Sequence, residues 1–235
     1  MEGTRDVWIY LPPSYNPQHN YPVLYMHDGQ NLYWDSLAYG GTWDMESNLA
    51  VLQKENLNLI IIAVANGGTK RMEELSWFSH PDHPSGKGSK YMGFIVEELM
   101  PIINKNFATD PDNVGIMGSS LGGLISLQAM AEYPHIFKKG GIFSAALWFN
   151  PETMEKNYLS TIDPRSTIYM ISGGKEVMGE INFPKDQRKT ALLLADIITK
   201  DNLHSEIHPD GEHREWYWAR EFVRAVKFLY RIEHH

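Results

Sequence analysis

The sequence predicts an α/β fold, with an open, mainly parallel sheet covered by helices on both faces. Three observations predict it. Short β-rich runs alternate with longer helical patterns along the chain, the order that builds parallel crossovers. The run 57–65 (LNLIIIAVA) is apolar almost throughout, as a strand buried on both faces must be. Two long segments with neither pattern, 28–42 and 66–90, start where an apolar run ends, and open α/β sheets bind ligands beyond the carboxyl ends of their strands.

Each element has its own signal. Residues 7–11 (VWIYL) read as a strand stopped by Pro12 and Pro13, and 22–27 (PVLYMH) as an apolar strand ending in Asp28-Gly29. Further short strands are expected at 114–117, 141–143, 168–172 and 205–208. Residues 91–107 place Phe94, Ile95, Leu99, Ile102 and Ile103 at helical spacing. Residues 121–133 are apolar or small nearly all round, so they are expected to form a buried helix. A third helix is expected at 191–199. The last, 215–230, carries Trp218, Phe222, Val226 and Leu229 on one face.

The chain has 235 residues, 43% hydrophobic and 21% charged, an ordinary globular balance, and it contains neither internal repeat nor linker. It is read as one domain over 1–235. A formal net charge of -8 repels phosphate backbones, so no nucleic-acid partner is expected. The absence of cysteine excludes disulfides, a Cys nucleophile and thiolate metal sites. No membrane partner is expected, since no apolar run reaches 18 residues. Met1 to Arg5 lack the apolar stretch of a secretion signal, so the chain reads as cytoplasmic, or secreted if a signal was removed. His234 and His235 resemble a tag remnant and enter no metal argument.

Chemistry concentrates at Gly118-Ser119-Ser120-Leu121-Gly122, a G-x-S-x-G nucleophile elbow. A sharp strand-to-helix turn leaves the serine exposed, and glycines two before and two after remove clashing Cβ atoms. Ser119 lacks that frame, because Met117 stands where the first glycine belongs, so Ser120 is the expected nucleophile. A serine hydroxyl needs a base. In α/β-hydrolases the chain order is Ser, acid, His. His135 follows a proline at a helix end, and His204 and His208 belong to the last strand. His213 follows the turn Pro209-Asp210-Gly211-Glu212, at a strand end, and is the expected base. The acid should follow an earlier strand. Glu176, after Gly173-Gly174-Lys175, is the choice, with Glu180, Asp186 and Asp163 as rivals. An oxyanion hole needs two backbone N–H groups. Leu121 supplies one, and the Gln30 amide, beside Gly29, is nominated for the other.

His80, His83 and Asp82 lie close together, but no HExxH or Cys/His framework accompanies them, and a polar loop is the better reading. No metal is expected. No GxGxxG or GxxxxGK[ST] occurs, so no nucleotide cofactor is expected either.

At these residues the chain resembles the putative-esterase family of α/β-hydrolases, which includes enterochelin, feruloyl and acetyl-xylan esterases, formylglutathione hydrolases and mycolyltransferases. The stretches that carry the resemblance are VWIYLPPSY, PVLYMHDGQNLY, NGGTKRMEE, FIVEELMPIINKNF, NVGIMGSSLGGLISLQAMAEYP, GGKE and GEH. It implies the α/β-hydrolase fold with no large cap domain. It also implies Ser120, His213 and Glu176 as the triad, and the Gln30 and Leu121 amides as the oxyanion hole. Members usually carry a further strand or two ahead of VWIYLPPSY, so a short first edge is expected here. The expected activity is hydrolysis of a carboxylic ester of feruloyl, acetyl or siderophore type, on a small or saccharide-linked substrate. The rivals are acyl transfer to another alcohol and a non-catalytic binding module. Trp34, Trp43, Trp77, Trp148 and Phe149 are expected to wall an aromatic-tolerant pocket, with core packing of about half of them as the alternative. Arg71 is expected to meet a substrate carboxylate or hydroxyl, with a solvated surface role as its alternative.

Overall fold

Successive side chains of a strand point to opposite faces, and here each face has its own core. In the computed structural model, Val23, Tyr25, Ile60, Ile62, Val64 and Ile116 enter one core. Leu24, Met26, Ile61, Ala63 and Met117, their immediate neighbours in sequence, enter the other. The structure describes residues 4–38 and 40–231. Met1 to Gly3, Tyr39 and the C-terminal His234 and His235 lie outside them.

Nine strands are described: β1 (Val7–Tyr10), β2 (Tyr21–His27), β3 (Ile60–Val64), β4 (Thr109–Ser119), β5 (Lys139–Phe143), β6 (Thr167–Gly173), β7 (Val177–Met178), β8 (Ile181–Asn182) and β9 (Leu203–His208). Seven form one sheet in the order β1-β3-β2-β4-β5-β6-β9, while β7 and β8 make a separate hairpin. β1 runs antiparallel to β3, and the other pairs of the large sheet are parallel. This is the mostly parallel α/β-hydrolase sheet that the sequence predicts.

The helices divide between the faces. One face carries the helical segment 88–106, through Tyr91, Ile95, Leu99 and Ile103, together with the helix Leu121–Glu132 and the helix Phe183–Ala195. The other carries the helices Met45–Lys54 and Glu215–Tyr230. The last helix has the bounds its periodicity predicts, with Trp218, Phe222, Val226 and Leu229 buried. Among the described residues, no helix is long and apolar enough to cross a membrane.

Two expectations are corrected. The helix expected at 191–199 runs over Phe183–Ala195. Asn182 caps it by accepting the Lys185 N–H at 3.0 Å, Pro184 fits its first turn, and its first half is mostly polar, which hides the period. The strand expected at 114–117 extends back to Thr109, through the polar residues Asp110, Asp112 and Asn113, which lie beyond the buried part of the sheet.

Candidate active site

β4 ends at Ser119, and the next helix starts at Leu121. Between them Ser120 takes φ 57°, ψ -121°, a conformation that costs a side-chain-bearing residue about 1–3 kcal/mol and persists only where surrounding structure enforces it. The enforcement is visible. The Ser120 N–H donates to Phe143 O at 2.9 Å, and its carbonyl accepts from Leu124 and Ala146 at 3.0 Å each. A Cβ on Gly118 would lie 2.6 Å from the Gly122 carbonyl carbon, so the elbow closes only on glycine.

The two nominated amides are equivalent in kind. Leu121 and Gln30 are each the first residue of a helix, whose N–H has no intrahelical acceptor. Gly29 brings the Gln30 segment against the sheet edge. Its N–H donates to Val64 O at 2.9 Å, and a Cβ there would meet Ala63 at 2.8 Å and the Trp8 ring at 2.9 Å. The Gln30 side chain accepts the Asn66 N–H at 3.2 Å, which locks the turn to the loop after β3.

Glu176 follows β6, and His213 follows β9. The two loops touch backbone to backbone. A Cβ on Gly173 would lie 2.2 Å from the Gly211 carbonyl carbon. Gly174 N–H donates to His208 O at 2.7 Å, and Lys175 N–H to Gly211 O at 3.2 Å. This lacing sets the Glu176 Oε2 3.5 Å from His213 Nδ1, the outer limit of a hydrogen bond; such bonds often tighten only with substrate present. The carboxyl group is almost fully buried, and its other oxygen accepts from Ser144 Oγ at 2.7 Å. The His213 ring sits between Phe183, 4.5 Å away, and Trp218, 5.1 Å away and edge-on.

Of the rivals to Glu176, Asp163 holds Arg165 at 2.7 Å, Glu180 is exposed on the β7–β8 hairpin, and Asp186 lies in the first turn of its helix. Glu176 is the carboxylate within reach of His213 among the described residues. Of the other histidines, His135 is exposed in a turn, His204 stacks on Tyr169 at 4.4 Å and His208 bonds the Tyr217 hydroxyl at 2.9 Å.

Ser120, His213 and Gln30 open onto one cleft of about 960 Å³, shared with Asp28, Asn66, Arg71, Arg214, Glu215 and Trp218. Its lining sets polar side chains beside apolar surface from Leu37, Ala38 and Trp218. Arg71 grips Asp28 with two nitrogens, Nε at 2.7 Å and NH2 at 2.8 Å, and the Asn66 side chain donates to the same carboxylate. Burial pushes the Asp28 carboxyl up, but Arg71 and Asn66 outweigh it and hold it below its ordinary range. Burial raises Glu215. Behind the elbow, burial depresses His27 to about 4, with Asp28 opposing and Arg71 adding to the effect; its Nδ1 meets the Tyr91 hydroxyl at 2.8 Å.

The expected aromatic wall is not found in this lining. Trp43 is buried against Phe143, Trp218 and Phe222. Trp77 packs on Tyr133, and the half-exposed Trp34 on Trp8 and Tyr33. Trp148 and Phe149 pack with His80 and His83. Each ring is taken up by packing partners distant in sequence. Arg71 does line the cleft, but two of its nitrogens are committed to Asp28. Sequence reasoning missed Ser144, Asp28 and Phe183, and read Trp218 only as helix core. A signal existed for Ser144 and Asp28, since each directly follows the apolar run of a strand, β5 and β2.

Known proteins share this frame. "Uncharacterized protein YbbA" of Bacillus subtilis (strain 168) is 28% identical, over 97% of this chain and 93% of its own length. The enterochelin esterase of Shigella flexneri superposes with a TM-score of 0.75 at 17% identity, over 97% of this chain and 55% of that one. A ferulic acid esterase does so with a TM-score of 0.69 at 18% identity, over 97% and 92%. The two structural likenesses are likenesses of fold. The family match is broader, covering residues 1–229, and it places the chain in the Putative esterase family, as a carboxylic ester hydrolase.

Proposed function

We propose that the chain cleaves its ester in two steps through an acyl-enzyme on Ser120. Ser120 Oγ attacks the ester carbonyl carbon while its proton passes to His213 Nε2. The carbonyl oxygen, now an anion, accepts from the Gln30 and Leu121 amides. The intermediate collapses, the C–O bond breaks, and the leaving alkoxide takes the proton from the imidazolium. Water then attacks the acyl group by the same route and frees Ser120. Glu176 holds the imidazole with its Nε2 free and stabilises the cation formed on the way.

The observation that carries the reading is the strained Ser120, facing the same cleft as the laced His213–Glu176 pair. Donors fixed in advance where charge develops typically contribute several kcal/mol of barrier lowering. The cleft, with Asn66, Arg71 and Glu215 beside apolar surface from Leu37, Ala38 and Trp218, suits an ester that carries hydroxyl or amide groups on an otherwise apolar acyl or alcohol part, as feruloyl-saccharide and siderophore esters do. The test is pre-steady-state hydrolysis of p-nitrophenyl acetate, followed by a panel of methyl ferulate, acetylated xylan and a siderophore trilactone. A burst of one p-nitrophenol per enzyme, absent in Ser120→Ala and kept in Ser119→Ala, supports the reading. A burst that survives Ser120→Ala overturns it.

A further inference from the structure

Glu176 does not hold itself. From the direction of its hydrogen bonds, we infer that Ser144 and Trp218 are positioning residues that fix the Glu176 carboxylate, and through it His213, by a buried relay. The inference rests on the triad reading proposed above.

The relay begins at the Trp218 indole, whose Nε1 lies 2.9 Å from Ser144 Oγ. Ser144 Oγ lies 2.7 Å from Glu176 Oε1. Glu176 Oε2 faces His213 Nδ1 at 3.5 Å. An indole N–H can only donate, and a carboxylate can only accept. The first contact therefore occupies a lone pair of the Ser144 oxygen, and the last acceptor sets the direction of the rest. The Ser144 hydroxyl hydrogen must point at Glu176. The second carboxylate oxygen is left for a hydrogen on His213 Nδ1, and that tautomer leaves Nε2 unprotonated, as a base requires. The acceptor-only carboxylate thus sets the polarity of the relay, and the donor-only indole closes its far end.

The backbone is arranged for the same purpose. Ser144 is fully buried and sits at φ 42°, in the left-handed region that side-chain-bearing residues avoid. Its N–H donates to Ile171 O at 2.7 Å, so it hangs from β6, the strand that leads to Glu176. The indole of Trp218 lies edge-on to the His213 ring, at 5.1 Å and 89°. One side chain thereby touches the base directly and the acid through Ser144. A serine buried only to fill space needs neither the strained φ nor a donor on one side and a carboxylate on the other.

The experiment is a double-mutant cycle on kcat with p-nitrophenyl acetate. Ser144→Ala, Trp218→Phe and Glu176→Gln are made singly, and the first two are also combined with Glu176→Gln. Thermal melts of each report folding. A hydrogen bond to a charged group makes about a tenfold difference when lost. Ser144→Ala is expected to lower kcat about tenfold with KM little changed, and Trp218→Phe to lower it by a smaller factor. In the Glu176→Gln background both effects should vanish, because the group they position is gone. If Ser144→Ala and Trp218→Phe both keep wild-type kcat, or cost the same factor with and without Glu176, they do not act through the acid and the relay is refuted. If Glu176→Gln itself keeps wild-type kcat, the triad reading falls, and the relay falls with it.

Discussion

Replacing Gly173 by alanine tests how the proposed acid and base, Glu176 and His213, are held together. The residue lies at the end of β6, three positions before Glu176, with its Cα against Gly211 of the loop that carries His213. A methyl group there would sit 2.2 Å from both the carbonyl carbon and the oxygen of Gly211, and 2.8 Å from Glu212 N. Ordinary contact begins near 3.4 Å, and all three atoms are backbone, so no side chain can swing aside. The loops must therefore part by about 1 Å, a misplacement that typically costs about 10²-fold in rate. The His213–Glu176 contact is already at 3.5 Å and has no slack to absorb it. The expected result with p-nitrophenyl acetate is a kcat about 10²-fold lower, with KM within a few-fold. Overpacking of this kind costs about 1–3 kcal/mol, which lowers Tm by about 5 °C in a chain of this size. Gly211→Ala, whose Cβ would meet Gly173 Cα at 2.7 Å and the Tyr217 ring at 2.8 Å, should act in the same direction. Wild-type kcat in a folded Gly173→Ala protein would refute the claim that this backbone contact sets the geometry of acid and base.

Three more outcomes are expected. His27 is depressed from 6.5 to about 4, so the folded state favours the neutral ring. Above 6.5 neither state is protonated; as pH falls toward 4 the unfolded chain takes up a proton that the folded chain refuses, and about 3 kcal/mol of stability is lost in that window. Urea unfolding at pH 7 and pH 4.5 should show a smaller loss for His27→Asn than for wild type, and equal losses would contradict the assignment. Asp28→Asn removes the buried partner of Arg71 and should destabilise by about 3 kcal/mol, read as a lower urea midpoint. An unchanged midpoint would mean that the pair contributes nothing. His213→Ala should abolish ester hydrolysis, while His204→Ala and His208→Ala, whose rings serve Tyr169 and Tyr217, should retain it; full activity in the His213 variant excludes it as the base.

The central strands were legible because they contain short apolar runs buried on both faces, which leave no polar alternation to misread, whereas the edge strands β1 and β9 are only partly buried. The residues 118–122 announce a strand-to-helix turn because a Cβ on Gly118 would lie 2.6 Å from the Gly122 carbonyl carbon, and that constraint is local. Strand-end reasoning likewise selects Ser120 and His213, which line one cleft, and Glu176, which is buried 3.5 Å from His213. What stayed hidden depends on contacts between distant segments. Trp43 and Phe149 look like pocket walls in a loop-rich sequence, yet their rings are buried among neighbours the sequence does not place. Ser144 looks like any small residue after a strand, and its importance comes from Trp218 on one side and Glu176 on the other. The Phe183–Ala195 helix was half missed because Lys185, Asp186, Arg188 and Lys189 dilute its apolar period, while the buried Gln187 and Thr190 do not look apolar.

Mass mapping of a serine-reactive fluorophosphonate adduct tests the central claim most directly. Wild type and Ser119→Ala should each gain one adduct on the peptide containing residues 118–122, with fragment ions placing it on Ser120, and Ser120→Ala should gain none. An adduct on Ser119, or labelling of Ser120→Ala at the wild-type rate, would contradict the assignment of Ser120 as the nucleophile.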